Sequence, residues 1–158
     1  MDPATTLFGV LLLVTSLAEL GGLALIAFGA ATILPAQSEP VLVGLLLLGE
    51  TPPWMLVLVA SIANTLGSVV NWWLGTQVLR LQDRRWFPAS PPQIARAMGW
   101  YRRWGRWSLL LSWAPIIGDP LTVVAGMLRE PLREFILLVA IAKTGRYVVL
   151  TVVTLGLA

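Results

Sequence analysis

The stretch Leu34-Pro35-Ala36-Gln37-Ser38-Glu39-Pro40, followed by the apolar residues 41–49 and then Glu50-Thr51-Pro52-Pro53, decides how this chain is read. An apolar run that short cannot span a bilayer core, which needs about 20 residues. Proline removes a backbone donor and clashes with the preceding turn, so Pro35 and Pro40 break any helix that reaches them. Together with the apolar residues before Pro35, the stretch reads as two half-helices, a re-entrant hairpin over 33–52. The same pattern returns at an offset of 80: Pro35-x-x-x-Glu39-Pro40 matches Pro115-x-x-x-Asp119-Pro120, and Glu50 matches Glu130. Each of the latter acids is followed by proline within two residues and then by a long apolar segment. The unit is a hairpin plus a helix, used twice. A hairpin crosses nothing and a helix crosses once, so the two units lie upside down to one another. Inverted repeats with broken helices are an architecture of secondary transporters. Irregular backbone at membrane depth is tolerated only inside protein or along a water-filled cavity. The breaks at Pro35, Pro40, Pro115 and Pro120 are therefore expected to meet at such a cavity.

Working outward, residues 3–32 are apolar for long enough to span. A signal peptide is the rival reading, but it wants a basic start, and the only charges among residues 1–30 are Asp2 and Glu19. A second span covers 53–81. On it, Asn64, Gly67, Ser68, Asn71 and Gly75 recur at spacings of three and four, the usual packing or cavity face of a membrane helix. Residues 82–97 are polar and proline-rich and read as a loop. Residues 98–131 read as an interfacial entry, with Trp100, Tyr101, Trp104 and Trp107 among arginines, leading into a second re-entrant hairpin. A last span covers 132–158. The expected fold is an all-α integral membrane protein forming a single transmembrane domain, 1–158. It is an inverted repeat of re-entrant hairpin plus transmembrane helix, with one extra N-terminal transmembrane helix.

Composition agrees with this. Of the 158 residues, 57% are hydrophobic and 12% are charged, and mean hydropathy is +0.80. An average globular chain carries about 25% charged residues. The absence of histidine and cysteine removes the usual metal ligands, disulfides and thiolate nucleophiles, so no metal or cofactor is expected. Seven of the eleven basic residues lie between Arg80 and Arg106, where Asp83 alone opposes them. Aromatic and basic residues interleaved in this way could stack on nucleic acid. The long apolar flanks favour topology instead, with no nucleic-acid partner. Basic loops stay inside, which places 82–106 and the N-terminus in the cytoplasm and the C-terminus outside.

Four charges fall at membrane depth. A charge there costs about 2.5–3.5 kcal/mol on insertion scales, so such residues face the interior and are paired. Glu39 and Asp119 sit at the hairpin breaks, as candidates for proton or cation coupling. Lys143 and Arg146 lie roughly 16–21 Å along the last helix on one face, as candidates for anion or headgroup binding. The competing reading is a static ion-pair network that holds the hairpins. Glu19 is equally well a packing hydrogen-bond partner or a functional acid. Glu50 and Glu130 read as helix-start residues at the interface.

Leu34-Pro35, Ser38-Glu39-Pro40, Gly67-x-x-x-Asn71-x-x-x-Gly75, Tyr101-Arg102-Arg103-Trp104-Gly105, Pro115 and Ala125-Gly126, in that order, resemble the DedA family of SNARE-associated, VTT-domain membrane proteins. The run Ser112-Trp113-x-Pro115-x-x-Gly118-Asp119-Pro120 and the compact length resemble its short, YqaA-type branch. The resemblance covers about residues 25–150. It implies opposed re-entrant hairpins, residence in a bacterial inner membrane and a role in lipid translocation, notably of undecaprenyl phosphate, with links to proton motive force. Glu39 matches the family's acid in the first hairpin. Many members carry arginines where Ser112 and Gly118 stand here, and Lys143 and Arg146 could supply those cations. The expected function is a transporter of a lipid or lipid-linked phosphate, proton-coupled through Glu39 and Asp119 if at all. The alternatives are a small-ion or osmolyte transporter and a non-transporting protein of membrane homeostasis. An enzyme is not expected. Membrane lipids are the expected partners, with a lipid-phosphate cargo, and three crossings make a thin bundle compatible with a homodimer.

Overall fold

The computed structural model describes residues 3–32, 38–77, 90–114 and 117–157, in which every regular element is helical. In chain order these are α1 (Pro3–Ala30), α2 (Glu39–Leu48), α3 (Pro53–Thr76), α4 (Pro91–Trp104), a 3-10 segment (Gly105–Leu111), α5 (Gly118–Met127) and α6 (Leu132–Leu157). Helices α1, α3 and α6 are long and apolar enough to cross a membrane. Their outer faces carry large exposed apolar side chains such as Leu25, Leu58 and Val152, which lipid tolerates and water does not.

α1 runs unbroken from Pro3 to Ala30, in agreement with the span expected over 3–32, and the start of the expected first hairpin, residues 33–37, lies outside the described residues. Gly21 and Gly22 do not interrupt it, since a backbone without water keeps its internal hydrogen bonds. The end of α1 is buried, with Ala27 and Ala31 almost fully covered. The last carbonyls of a helix lack partners within it, and here α3 provides them. Asn64 Nδ2 donates to the Ala27 carbonyl at 3.1 Å, and Asn71 Nδ2 to that of Ala31 at 2.7 Å. The Thr32 hydroxyl reaches the carbonyls of Phe28 and Gly29, each at 3.1 Å. The approach is close because Gly67 has no side chain: a Cβ there would stand 2.6 Å from Ala31 Cβ.

α2 and α5 are both ten residues long and carry proline in the first turn, Pro40 and Pro120. Both are followed by a left-handed residue, Gly49 (φ 73°) and Arg129 (φ 53°), again 80 positions apart. Glycine suits that conformation and arginine does not. The turn at Arg129 is held by N–H groups of Leu128, Arg129 and Glu130 bonded to carbonyls of the preceding turn. The helices differ in depth. α2 buries Leu42 and Leu46, whereas α5 buries residues along nearly its whole length. α5 crosses α3 at Gly75 and Gly126, where a Cβ would overlap the Val123 and Trp72 carbonyl oxygens respectively. One apolar cluster gathers around α5 with Tyr101, Phe135 and Val139; a second gathers around α2 with Leu23, Leu56 and Tyr147. α6 contributes to both.

Two expected boundaries shift. Residues 91–97 are helical rather than loop, because Ser90 and Gln93 form a capping box and Pro91 opens α4. The Ser90 N–H donates to Gln93 Oε1 at 2.8 Å, and its hydroxyl does so at 2.9 Å. α3 extends to Thr76 within the described residues. Pro35 and Pro115, the last part of the expected second span, and Arg80, Arg84 and Arg85 lie outside the described residues.

Gly126→Ala should lower the thermal unfolding midpoint in detergent by an amount corresponding to about 1–3 kcal/mol of overpacking, while Gly99→Ala, with nothing near its Cβ, should not. Arg129→Gly should raise the midpoint, by the order of 1 kcal/mol that a left-handed non-glycine residue costs.

Candidate functional site

The four charges expected at membrane depth are brought together as two cross-element pairs. Glu39 opens α2 and Asp119 lies in the first turn of α5, positions where a helix N-terminus favours an anion. Lys143 and Arg146 project from α6 at a spacing of three. Arg146 Nη2 lies 2.5 Å from Glu39 Oε1, and Lys143 Nζ lies 3.8 Å from Asp119 Oδ1. Both are ion pairs, the first at close contact and the second at a longer separation. Arg146 Nη1 also donates to the Trp113 carbonyl at 2.8 Å, which ties α6 to the turn before α5.

Burial separates the two pairs. The Lys143 side chain is 6% exposed, and its partner Asp119 is 32% exposed. Arg146 and Glu39 are 25% and 18% exposed. Lys143 is therefore the charge that depends most on its partner, while Arg146 keeps access to its surroundings.

Two residues absent from the expected site join it. The Tyr147 hydroxyl lies 2.7 Å from Ser38 Oγ and accepts a hydrogen bond from Asn64 Nδ2 at 2.9 Å. A usable signal was present: a tyrosine next to Arg146 on a buried helix needs a partner for its hydroxyl. Asn64 thus serves both the end of α1 and Tyr147, Asn71 serves Ala31, and Gly67 makes the close approach to α1. Pro40 and Pro120 start α2 and α5.

Glu19, Glu130 and Glu134 have structural partners. Thr51 Oγ1 donates to Glu19 Oε2 at 2.6 Å, joining α1 to the turn before α3. Glu130 accepts the Tyr101 hydroxyl at 2.6 Å and lies 3.5 Å from Arg106 Nε, while Arg106 also pairs with Glu134. Burial, reinforced by the Glu130 carboxylate, pushes the Tyr101 phenol above its ordinary pKa. Its proton stays in place, and the bond fastens α4 to the start of α6.

A groove of about 600 Å³ lies between α3 and α6, lined by apolar residues with Ser61, Thr65, Thr144 and Thr151 among them. None of the four charged residues lines it, and it follows the face of α6 turned away from Arg146.

This arrangement of three membrane-length helices and two short ones bearing paired charges defines a polytopic membrane protein with a polar interior. Residues 34–155 match the VTT domain, and the chain belongs to that family, the DedA family. It is 39% identical over 128 residues to the inner membrane protein YqaA of Escherichia coli, covering 81% of this chain and 85% of that protein. The same identity and coverage hold for YqaA of Shigella flexneri. An uncharacterized protein of Haemophilus influenzae is 36% identical over 134 residues, covering 78% of this chain and 80% of that one. No solved structure matches the chain.

Removing one partner of a buried pair costs about 3–5 kcal/mol, because it strands the other charge. Asp119→Asn should therefore destabilise strongly by leaving Lys143 buried and unpaired. Lys143→Met should cost less, since Asp119 is partly exposed. The double variant Asp119→Asn/Lys143→Met should recover most of the Asp119→Asn loss in thermal unfolding.

Proposed function

We propose that the protein is a carrier, not an enzyme, that moves a lipid bearing an anionic phosphate headgroup across a bacterial inner membrane, with Arg146 as the headgroup-binding cation. The observation that carries this reading is the state of Arg146. It is a quarter exposed, bound to one carboxylate and one carbonyl, with further N–H donors to offer. A phosphate presents the same kind of acceptor as Glu39 and can compete for that guanidinium. Glu39, once displaced, takes up a proton rather than remain charged at membrane depth, which gives a route to proton coupling. Lys143 and Asp119 form the second pair along the same helix. Membership of the VTT family and the inner-membrane name of its relatives support the setting. Undecaprenyl phosphate and phospholipids are the cargoes this chemistry fits.

The same reading takes α2 and α5 as the inner limbs of two opposed re-entrant hairpins. The shared length, proline starts and left-handed ends at an offset of 80 support this. Basic residues of α4 and its flanks then face the cytoplasm. Membrane lipids are the partners, nucleic acid is not, and a second copy could cover the groove between α3 and α6.

One observation favours a second reading. All four charges are paired, as a static network in a non-transporting protein of membrane homeostasis would require. The two readings diverge in liposomes. Purified protein should flip labelled undecaprenyl phosphate, faster with a pH gradient, and Arg146→Gln and Glu39→Gln should each abolish flipping in folded protein. Absence of flipping both with and without the gradient sinks the carrier reading. Flipping that survives Glu39→Gln removes the coupling role of that acid.

A further inference from the structure

We propose that Tyr147 is the positioning residue for the Glu39–Arg146 pair and acts through the hydroxyl of Ser38. The inference deepens the carrier reading, in which that pair is the working site. It starts from a cap that is not made. Ser38 occupies the N-cap position of α2, where serine normally adopts an extended backbone and its oxygen accepts an N–H of the first turn. Here Ser38 has helical angles (φ −79°, ψ −12°) and its side chain makes no capping bond. Its hydroxyl is instead 2.7 Å from the Tyr147 hydroxyl, 109 residues away in the chain. Both residues are 1% exposed.

The phenol oxygen is a junction. Asn64 Nδ2 donates to it from α3 and also donates to the Ala27 carbonyl at the end of α1. Through Tyr147, the start of α2 is thus tied to α1, α3 and α6. The next contact is adjacent in sequence on both sides: Ser38 is hydrogen-bonded to Tyr147, and Glu39 is ion-paired with Arg146. Consecutive residues held by consecutive residues make a two-point attachment, which fixes the direction of the Glu39 side chain; a single point would let it swivel. The other anchors of α2 are apolar, Leu42 and Leu46 with Val41 and Leu45 beside them, and such contacts have no direction with which to aim the Glu39 carboxylate.

The Ser38 hydroxyl has two mutually exclusive uses. In the observed state it bonds Tyr147 and holds Glu39 against Arg146. With an extended backbone at Ser38 it would cap α2, and Glu39 would lose its second anchor. The Tyr147 hydroxyl sets the balance between these states. Removing it leaves Ser38 with the cap as its remaining partner, so the fold survives while Glu39 is released to take up a proton.

A carbodiimide soluble in lipid reads this directly, because it modifies protonated carboxyls in apolar surroundings. The full-length protein in liposomes is treated with dicyclohexylcarbodiimide, and peptide mass spectrometry follows Glu39 and Asp119 separately. Tyr147→Phe should raise the rate at Glu39 on the order of tenfold, the factor equivalent to one hydrogen bond of about 1.4 kcal/mol, with no change at Asp119. Ser38→Ala removes the same bond and should reproduce the effect; Ser38→Thr keeps a hydroxyl and should restore slow labelling. If Tyr147→Phe does not fold, the two Ser38 variants decide the matter. An unchanged Glu39 rate in Ser38→Ala, or an equal rise at Asp119, overturns the proposal. The readout needs no cargo, so a chain that flips no lipid can still show the latch, and the two failures stay distinct.

Discussion

A helix that ends inside a protein rather than in water leaves carbonyls with nothing to bond, and the whole arrangement depends on how α1 meets that constraint. One side of its end is buried at Ala27, Ala31 and Thr32, and α3 supplies the missing donors through Asn64 and Asn71 while Thr32 folds back on the same turn. The donors lie two turns apart on α3, so the helices must run close over that length, which Gly67 permits. Once α1 and α3 are joined, Asn64 is in place to hold Tyr147, and Tyr147 is in place to receive Ser38. Satisfying a helix end thereby positions the start of the next helix and the acid it carries.

The charges are distributed unequally around that frame. The two acids arrive on separate short helices, but both bases sit on α6. At the offset of 80, α3 carries Ala63 and Leu66 where α6 carries Lys143 and Arg146. Neutralisation of Glu39 is therefore supplied by the other half of the chain. The halves interlock through opposite charges instead of each being electrically complete, and a shift of α6 acts on both pairs at once.

Much of this could be read before any coordinates. The three membrane-length helices follow from apolar length alone, and the shared face of Lys143 and Arg146 follows from helical periodicity. The short helices were marked by Pro40 and Pro120. The start of α4 is legible too, in the capping pattern Ser90-Pro91-Pro92-Gln93, although the proline-rich polar composition around it is that of a loop. The continuous α1 agrees with the span read over 3–32, whose end is marked by the prolines that follow it. Which acid meets which base was not readable, nor was the Ser38–Tyr147 contact. Both depend on how helices far apart in sequence pack, and no local pattern encodes that.

The unequal embedding of the two ten-residue helices divides the molecule mechanically. α5 is buried along most of its length and crosses α3 at two glycines with carbonyl oxygens where side chains would stand. Sliding there meets backbone at every step, so α3 and α5 behave as one rigid block. α2 has two buried leucines and no glycine-locked crossing; Gly44 within it and Gly49 after it face open space. Displacement is cheapest at α2, and α5 is the fixed bearing against which it is measured. Two helices of equal length and similar ends thus differ in how strongly packing resists their displacement.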